Sequence, residues 1–245
     1  MKKIFVLLLF VFFLSSFQGT AQVFLDFETG GVFSGYNNIR IPGDSGTLFS
    51  LSQDLTTKSS VFFRFRLGFS LKERHHLSAL YAPLTLHAAG QVNQPITFFE
   101  EIFPPSIPLE GSFTFNSYRL TYRYDVLRND NWILGIGFTA KIRDAAVGVE
   151  GGGKKSIKTN VGFVPLIHFR VEWKFHKSLS LLLVGDALAA PQGRAEDVLL
   201  ALLLPLNKDI LMKAGYRFVE GGANVDEVYN FTFIHYAVVG MTFTF

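Results

Sequence analysis

Hydrophobic and polar residues alternate along this chain with a period of two, in one segment after another. Phe63, Phe65, Leu67, Phe69 and Leu71 share one parity while Arg64, Arg66, Gly68 and Ser70 take the other. The same weave sets Tyr118, Leu120, Tyr122 and Tyr124 against Arg119, Thr121, Arg123 and Asp125. It sets Ile167, Phe169, Val171, Trp173 and Phe175 against His168, Arg170, Glu172 and Lys174, and Met212, Ala214, Tyr216 and Phe218 against Lys213, Gly215 and Arg217. Successive side chains of a strand point to opposite faces, so this period predicts strands with one apolar and one polar face. Turn-forming residues divide the pattern into about ten strands, near 22–34, 60–72, 75–89, 110–126, 131–147, 158–175, 178–189, 195–206, 210–219 and 230–245. The connections at 72–74, 127–130, 176–177 and 207–209 are short, and those at 35–59, 90–109, 148–157, 190–194 and 220–229 are mostly longer. Residues 46–54 also alternate and read as a strand extension or an added pair, which sets the range at eight to twelve strands.

Composition decides which way the apolar faces point. The chain is 49% hydrophobic with 27 Phe, yet beyond residue 21 no apolar run approaches the roughly 20 residues that a membrane helix needs. Only helices and closed barrels satisfy their backbone groups in lipid. A soluble sandwich would turn the apolar parity inward, but a parity this aromatic and regular suits a barrel with apolar residues facing lipid and polar ones facing the lumen. The expected fold is therefore all-β: a transmembrane antiparallel up-and-down barrel, one domain over 22–245. Short turns at one end and longer loops at the other place both termini in the periplasm. Trp132 and Trp173, close to short turns, fit a girdle at that boundary, and Tyr229 and Tyr236 fit an outer belt.

Residues 1–21 stand apart. Lys2 and Lys3 precede an apolar run from Ile4 to Leu14, then small residues at Gly19 and Ala21, a signal-peptide pattern with cleavage expected after Ala21. Removing both lysines changes the net charge from +3 to 23 − 2 − 20 = +1, so no electrostatic case for nucleic acid remains. The absence of cysteine excludes disulfides and thiolate metal sites. No metal or cofactor motif occurs, nor a Gly-x-Ser-x-Gly, phosphate-loop or His-Glu-x-x-His pattern.

At the C-terminus Phe245, Phe243, Met241 and Val239 alternate with smaller residues. This strand resembles the closing strand of Gram-negative outer-membrane proteins, and small barrels such as the OmpA membrane domain and OmpW share the architecture. The resemblance implies location in the cell outer membrane, recognition of Phe245, Phe243 and Met241 by the barrel-assembly machinery, and contact with outer-membrane lipid and lipopolysaccharide.

Parity assigns to the lumen Arg64, Arg66, Arg119, Arg123, Lys141, Arg143, Arg170, Lys174, Lys213 and Arg217, opposed by Asp26, Glu28, Asp125, Glu172 and Asp186. A barrel of about ten strands barely exceeds the size that side chains fill, so these charges must pair, bind ions or face water. The leading reading is a monomer of structural or interaction role with a salt-bridged lumen, and the alternative is a narrow anion-favouring channel. A hydrolase acting on lipid A or peptides is the second alternative. Its candidates are His76 with Ser78, which resemble the His-x-Ser pair of outer-membrane lipid A deacylases, and a rim group of His87, Asp144, Asp186, Asp197, Asp226 and His235. Segments 190–197 and 220–227 read as solvated hairpin loops, the alternative being contact with divalent cations or lipopolysaccharide headgroups through their clustered carboxylates. The apolar run around Phe98, Phe99 and Phe103 is expected to fold over the barrel mouth or rest on the bilayer.

Overall fold

A computed structural model describes residues 21–245; the expected signal peptide lies almost wholly outside the described residues. β1 (Ala21–Arg40) is followed by two short strands, β2 (Phe49–Ser50) and β3 (Thr56–Thr57). β4 (Ser60–Leu71) and β5 (His75–Ala82) form a hairpin, β6 (Thr85–Gln91) prolongs β5, and β7 (Ile96–Phe98) pairs with β8 (Glu101–Phe103). The long strands follow: β9 (Pro108–Arg128), β10 (Trp132–Gly151), β11 (Lys154–His176), β12 (Leu179–Ala190), β13 (Gly193–Pro205), β14 (Ile210–Val225) and β15 (Val228–Thr244). The ring runs β1-β4-β5-β9-β10-β11-β12-β13-β14-β15 and closes where β15 pairs antiparallel with β1, from Phe24 opposite Thr244 to Arg40 opposite Tyr229. It is an antiparallel barrel of about ten strands, β5 and β6 sharing one place beside β9 across a break at Pro83, whose ring nitrogen cannot donate to the ladder.

The lipid face follows the period-two pattern. Phe63, Phe65, Tyr118, Leu120, Ile136, Phe138, Ile167, Leu202 and Val239 all point outward and are exposed. Trp132 and Trp173 stack on this face at 5.8 Å, beside the short turns. Tyr236 departs from expectation: it is 4% exposed and points into the lumen edge-on to Phe62. It falls in the same parity as Val238 and Ile234, opposite to Phe245 and Met241, so an aromatic near a strand end is not enough to mark a belt.

The opposite end of the barrel differs from the loops expected there. Residues 148–157 and 220–229 are mostly strand, turning only at Gly152-Gly153 and at 226–227. Gly152 and Gly153 have φ of 59° and 77°, the pair of positive values a tight type I′ hairpin demands. Strand pairing satisfies backbone groups whether or not side chains alternate, so the hairpins continue where the apolar pattern has stopped. Two true loops remain. The first, after β1, carries β2, a two-residue strand that adds to the edge of β1 at Asn38 and Ile39; residues 46–54 add no further pair of strands to the ring. The second carries the β7–β8 hairpin. The loops are tied by backbone bonds from Thr47 N to Thr97 O and from Phe99 N to Ile41 O. They bury Ile41, Phe49, Leu51, Leu55, Ile96, Phe98 and Phe103 against Leu86, Phe113, Val147 and Val149 of the barrel wall. The apolar run around Phe98 thus folds into the mouth as a plug.

The wall is uneven. β9, β10 and β11 rise to the Gly151–Lys154 turn, whereas β12 and β13 turn at Ala190 and Gly193. Pairing between β11 and β12 stops at Ile167 opposite Ala187, so residues 154–166 of β11 pair with β10 alone. A notch is left between β11 and the β12–β13 hairpin.

Candidate functional site

Neighbouring strands bring their inward charges to one level and form a layer across the lumen. Arg64 sits on β4, Arg119 on β9, Arg217 on β14, Glu28 on β1, Asp186 on β12 and Asp197 on β13. All six are at most 5% exposed. Asp197 is the hub: it accepts from Arg64 Nη2 at 2.9 Å, from Arg119 Nη2 at 2.6 Å and from Arg217 Nη1. Glu28 accepts from Arg217 Nη2 at 2.8 Å and from Lys213 Nζ at 2.7 Å, and Lys213 also donates to Asp26. Asp186 is held by Arg119 Nη1 at 2.7 Å, Thr139 Oγ1 at 2.6 Å and His168 Nδ1 at 2.8 Å. Every carboxylate in the layer has several donors, the condition under which buried charge is tolerated.

Below this layer, toward the short turns, a vestibule of about 290 Å³ is lined by Arg66, Arg123, Arg170, His76, Ser70 and Asp26 among others. Here Arg123 Nε donates to Asp125 at 2.8 Å, Arg170 bonds Glu172, and Arg66 reaches Ser78 Oγ at 3.1 Å. A second chain of bonds joins Ser70 Oγ to His76 Nδ1 at 2.8 Å and His76 Nε2 to Asp125 Oδ2 at 2.9 Å. Above the layer, a cleft of about 410 Å³ lies between the β10–β11 wall and the β14–β15 wall. Lys141 and Arg143 face it from β10.

The sequence-derived candidates separate accordingly. Arg64, Arg119, Arg217, Lys213 and Asp186 meet in the layer; Arg66, Arg123 and Arg170 line the vestibule, with Asp125 paired to Arg123 and Glu172 to Arg170. Lys174 leaves both, bonding the Asn129 carbonyl at the short-turn rim. Asp197 corrects the expectation of a solvated acidic loop: it is 2% exposed, because β13 starts at Gly193 and its parity turns Asp197 inward. Glu220 lies in β14, where it receives both Nε and Nη2 of Arg194 at 2.7 Å. The rim group does not assemble. Asp186 and Asp197 are in the layer, Asp144 accepts from Asn116, and His235 stacks on Phe33 at 5.3 Å. Nor do His76 and Ser78 pair, since across the β4–β5 ladder His76 lies opposite Ser70. That partner comes from a different strand, which adjacent-residue motifs cannot reveal.

Closed antiparallel ring, outward apolar belt and charged interior define the fold of transmembrane outer-membrane β-barrels. Solved structures of that class are similar to this chain. The outer-membrane protease OmpT of Escherichia coli aligns with TM-score 0.59 and 10% identity over 91% of this chain and 97% of its own. The attachment invasion locus protein Ail of Yersinia pestis gives 0.42 at 8% over 91% and 99%, and Neisserial surface protein A gives 0.34 at 14% over 92% and 97%. No protein-family model and no curated protein matches the sequence.

Proposed function

We propose that the protein resides in the outer membrane as a sealed, non-conducting monomeric barrel of structural or interaction role, its short turns in the periplasm and its plugged end outside. One observation carries this reading: the lumen is crossed by the layer centred on Asp197, whose side chains are buried and mutually paired, with the plug stacked above it. Ions would have to displace guanidinium groups held by two or more carboxylate bonds. Refolded protein in planar bilayers is expected to show no unitary conductance, while Arg119→Ala/Arg217→Ala combined with deletion of residues 93–106 is expected to conduct. Discrete anion-selective steps from the unaltered chain would instead support the channel. The lipid belt, the terminal aromatic strand with Phe245, Phe243 and Met241, and the basic-apolar N-terminus support export, assembly by the barrel machinery and contact with lipopolysaccharide.

A specific observation also favours a hydrolase on the periplasmic side: the Ser70–His76–Asp125 chain, in a vestibule whose arginines suit an anionic substrate. His76 would act as base, held by Asp125, with Ser70 as nucleophile. OmpT, which shares the fold, is a protease by name. Labelling by a fluorophosphonate that disappears in Ser70→Ala is the expected result of this second reading; equal labelling of both forms, or none, removes it.

A further inference from the structure

Lys141 is a cation whose partner is missing. It is 3% exposed, packs its ammonium 4.6 Å from the Phe115 ring centroid, and among the described residues has no carboxylate within ion-pair distance. The acids nearest in the fold, Asp186 and Asp197, are already taken by Arg64, Arg119, Arg217, His168 and Thr139. Two residues along the same face, Arg143 has a buried Nε without an acceptor and only the Asn160 side-chain oxygen for its Nη2. Burying an ammonium without an anion costs several kcal/mol, a cost that an anion supplied from elsewhere would offset.

The surroundings specify what carries that anion. On the walls around Lys141 and Arg143 stand Phe113, Phe115, Val147, Val164, Leu188 and Ala190, and the cleft is also lined by Lys158, Asn160 and Arg194 and by Glu196, Glu220 and Glu227. It lies beside the notch, where β11 has lost β12 as a neighbour. On the outer face of β11 at that height, Val161 and Phe163 are 68% and 62% exposed, in line with Ile167 and the lipid belt below. The notch therefore begins at bilayer level. A volume of about 410 Å³ is near the lower end of the roughly 300–1,000 Å³ typical of small-molecule pockets, room for one chain and too little for a multi-acyl lipid.

We propose that this cleft binds a single-chain anionic amphiphile, its carboxylate or phosphate between Lys141 and Arg143 and its chain running past Val164, Leu188 and Ala190 through the notch into the bilayer. The proposal rests on the sealed-barrel reading only in taking the notch as open to the outer leaflet; the binding itself is independent of orientation.

The full chain, refolded in non-ionic detergent, would be titrated with the fluorescent fatty acid cis-parinaric acid and, separately, with its uncharged methyl ester. Saturable binding of the acid is expected, with the ester at least tenfold weaker. Lys141→Met should lower affinity for the acid to that of the ester, and Ala190→Trp, which fills the cleft beside the notch, should weaken both. Lys174→Met, a cation at the other rim, should bind as the unaltered chain does. Displacement by laurate or by dodecyl phosphate, and not by inorganic phosphate, supports one chemistry drawn from either source. Heat-modifiable migration shows that each variant is folded, and Arg143→Gln gives a second test if Lys141→Met is not. Equal affinity for acid and ester, unchanged acid binding in folded Lys141→Met or Arg143→Gln, or no saturable binding at all overturns the proposal. None of these outcomes alters the conductance test, so the two readings fail separately.

Discussion

Asp197 shows how much depends on one side chain. Three arginines on three strands converge on it, and Asp186 and Glu28 cannot take over because each already holds its own donors. Asp197→Asn leaves three buried guanidinium groups short of one charge, so a loss of about 3–5 kcal/mol is expected, the size of a broken buried ion pair. Urea-induced unfolding in lipid vesicles, read by the fluorescence of Trp132 and Trp173, measures it; Asp226→Asn, in the β14–β15 turn, should shift the midpoint by less than about 0.5 kcal/mol. The basic half of the layer was legible in the sequence, since Arg64, Arg119 and Arg217 lie mid-strand where parity is unambiguous. Asp197 was not, because beside the Pro-Gln-Gly segment at 191–193 it reads as part of an acidic loop, and its direction depends on where β13 begins. Lys141 shows the converse: parity puts it in the lumen, but only three-dimensional placement reveals that among the described residues no carboxylate comes within ion-pair distance of it.

At the level of elements, the ten barrel strands could be read within a few residues at the short-turn end, where lipid forces strict alternation. Their far ends could not be. Beyond the bilayer both faces of β10, β11 and β14 meet water or the plug, so hydropathy no longer tracks the pleat although backbone pairing continues. The plug was visible only as excess apolar character around Phe98, and its partner loop after β1 was ambiguous because its pairing is two residues long. The packing carries a prediction. Phe98 and Phe103 are fully buried, so Phe98→Ala/Phe103→Ala should cost several kcal/mol of local packing, about 3–5 for each large aromatic in a rigid core. Both residues lie in the separate β7–β8 hairpin, outside the ladders of the ring, so the loss should be confined to the plug. Limited proteolysis should then cut within 41–59 and 92–107 at least tenfold faster while the heat-modifiable barrel persists; parallel loss of the barrel would mean that plug and ring unfold as one unit.

For the molecule as a whole, orientation links the closed lumen, the vestibule and the cleft to the compartments they face. Outward aromatics set the lower boundary at Trp132 and Trp173, and Tyr118, Ile142 and Phe163 mark the upper one on the tall side of the wall. Above it, the Arg194–Glu220 pair and Tyr36 sit on the outer surface, where charged headgroups rather than acyl chains would surround them. In the orientation proposed above, the vestibule holding Ser70 and His76 opens to the periplasm and the notch beside Lys141 opens at the outer leaflet. The chain lacks cysteine, so single introduced thiols report this directly. Gln192→Cys, in the β12–β13 turn, is expected to react with a membrane-impermeant maleimide on intact cells, and Lys208→Cys, in the β13–β14 turn, only after the outer membrane is opened. Reversed accessibility would place the plug in the periplasm and turn the notch toward the inner leaflet, where phospholipid rather than lipopolysaccharide borders it; the fatty-acid titration would stand, but the leaflet supplying the amphiphile would change.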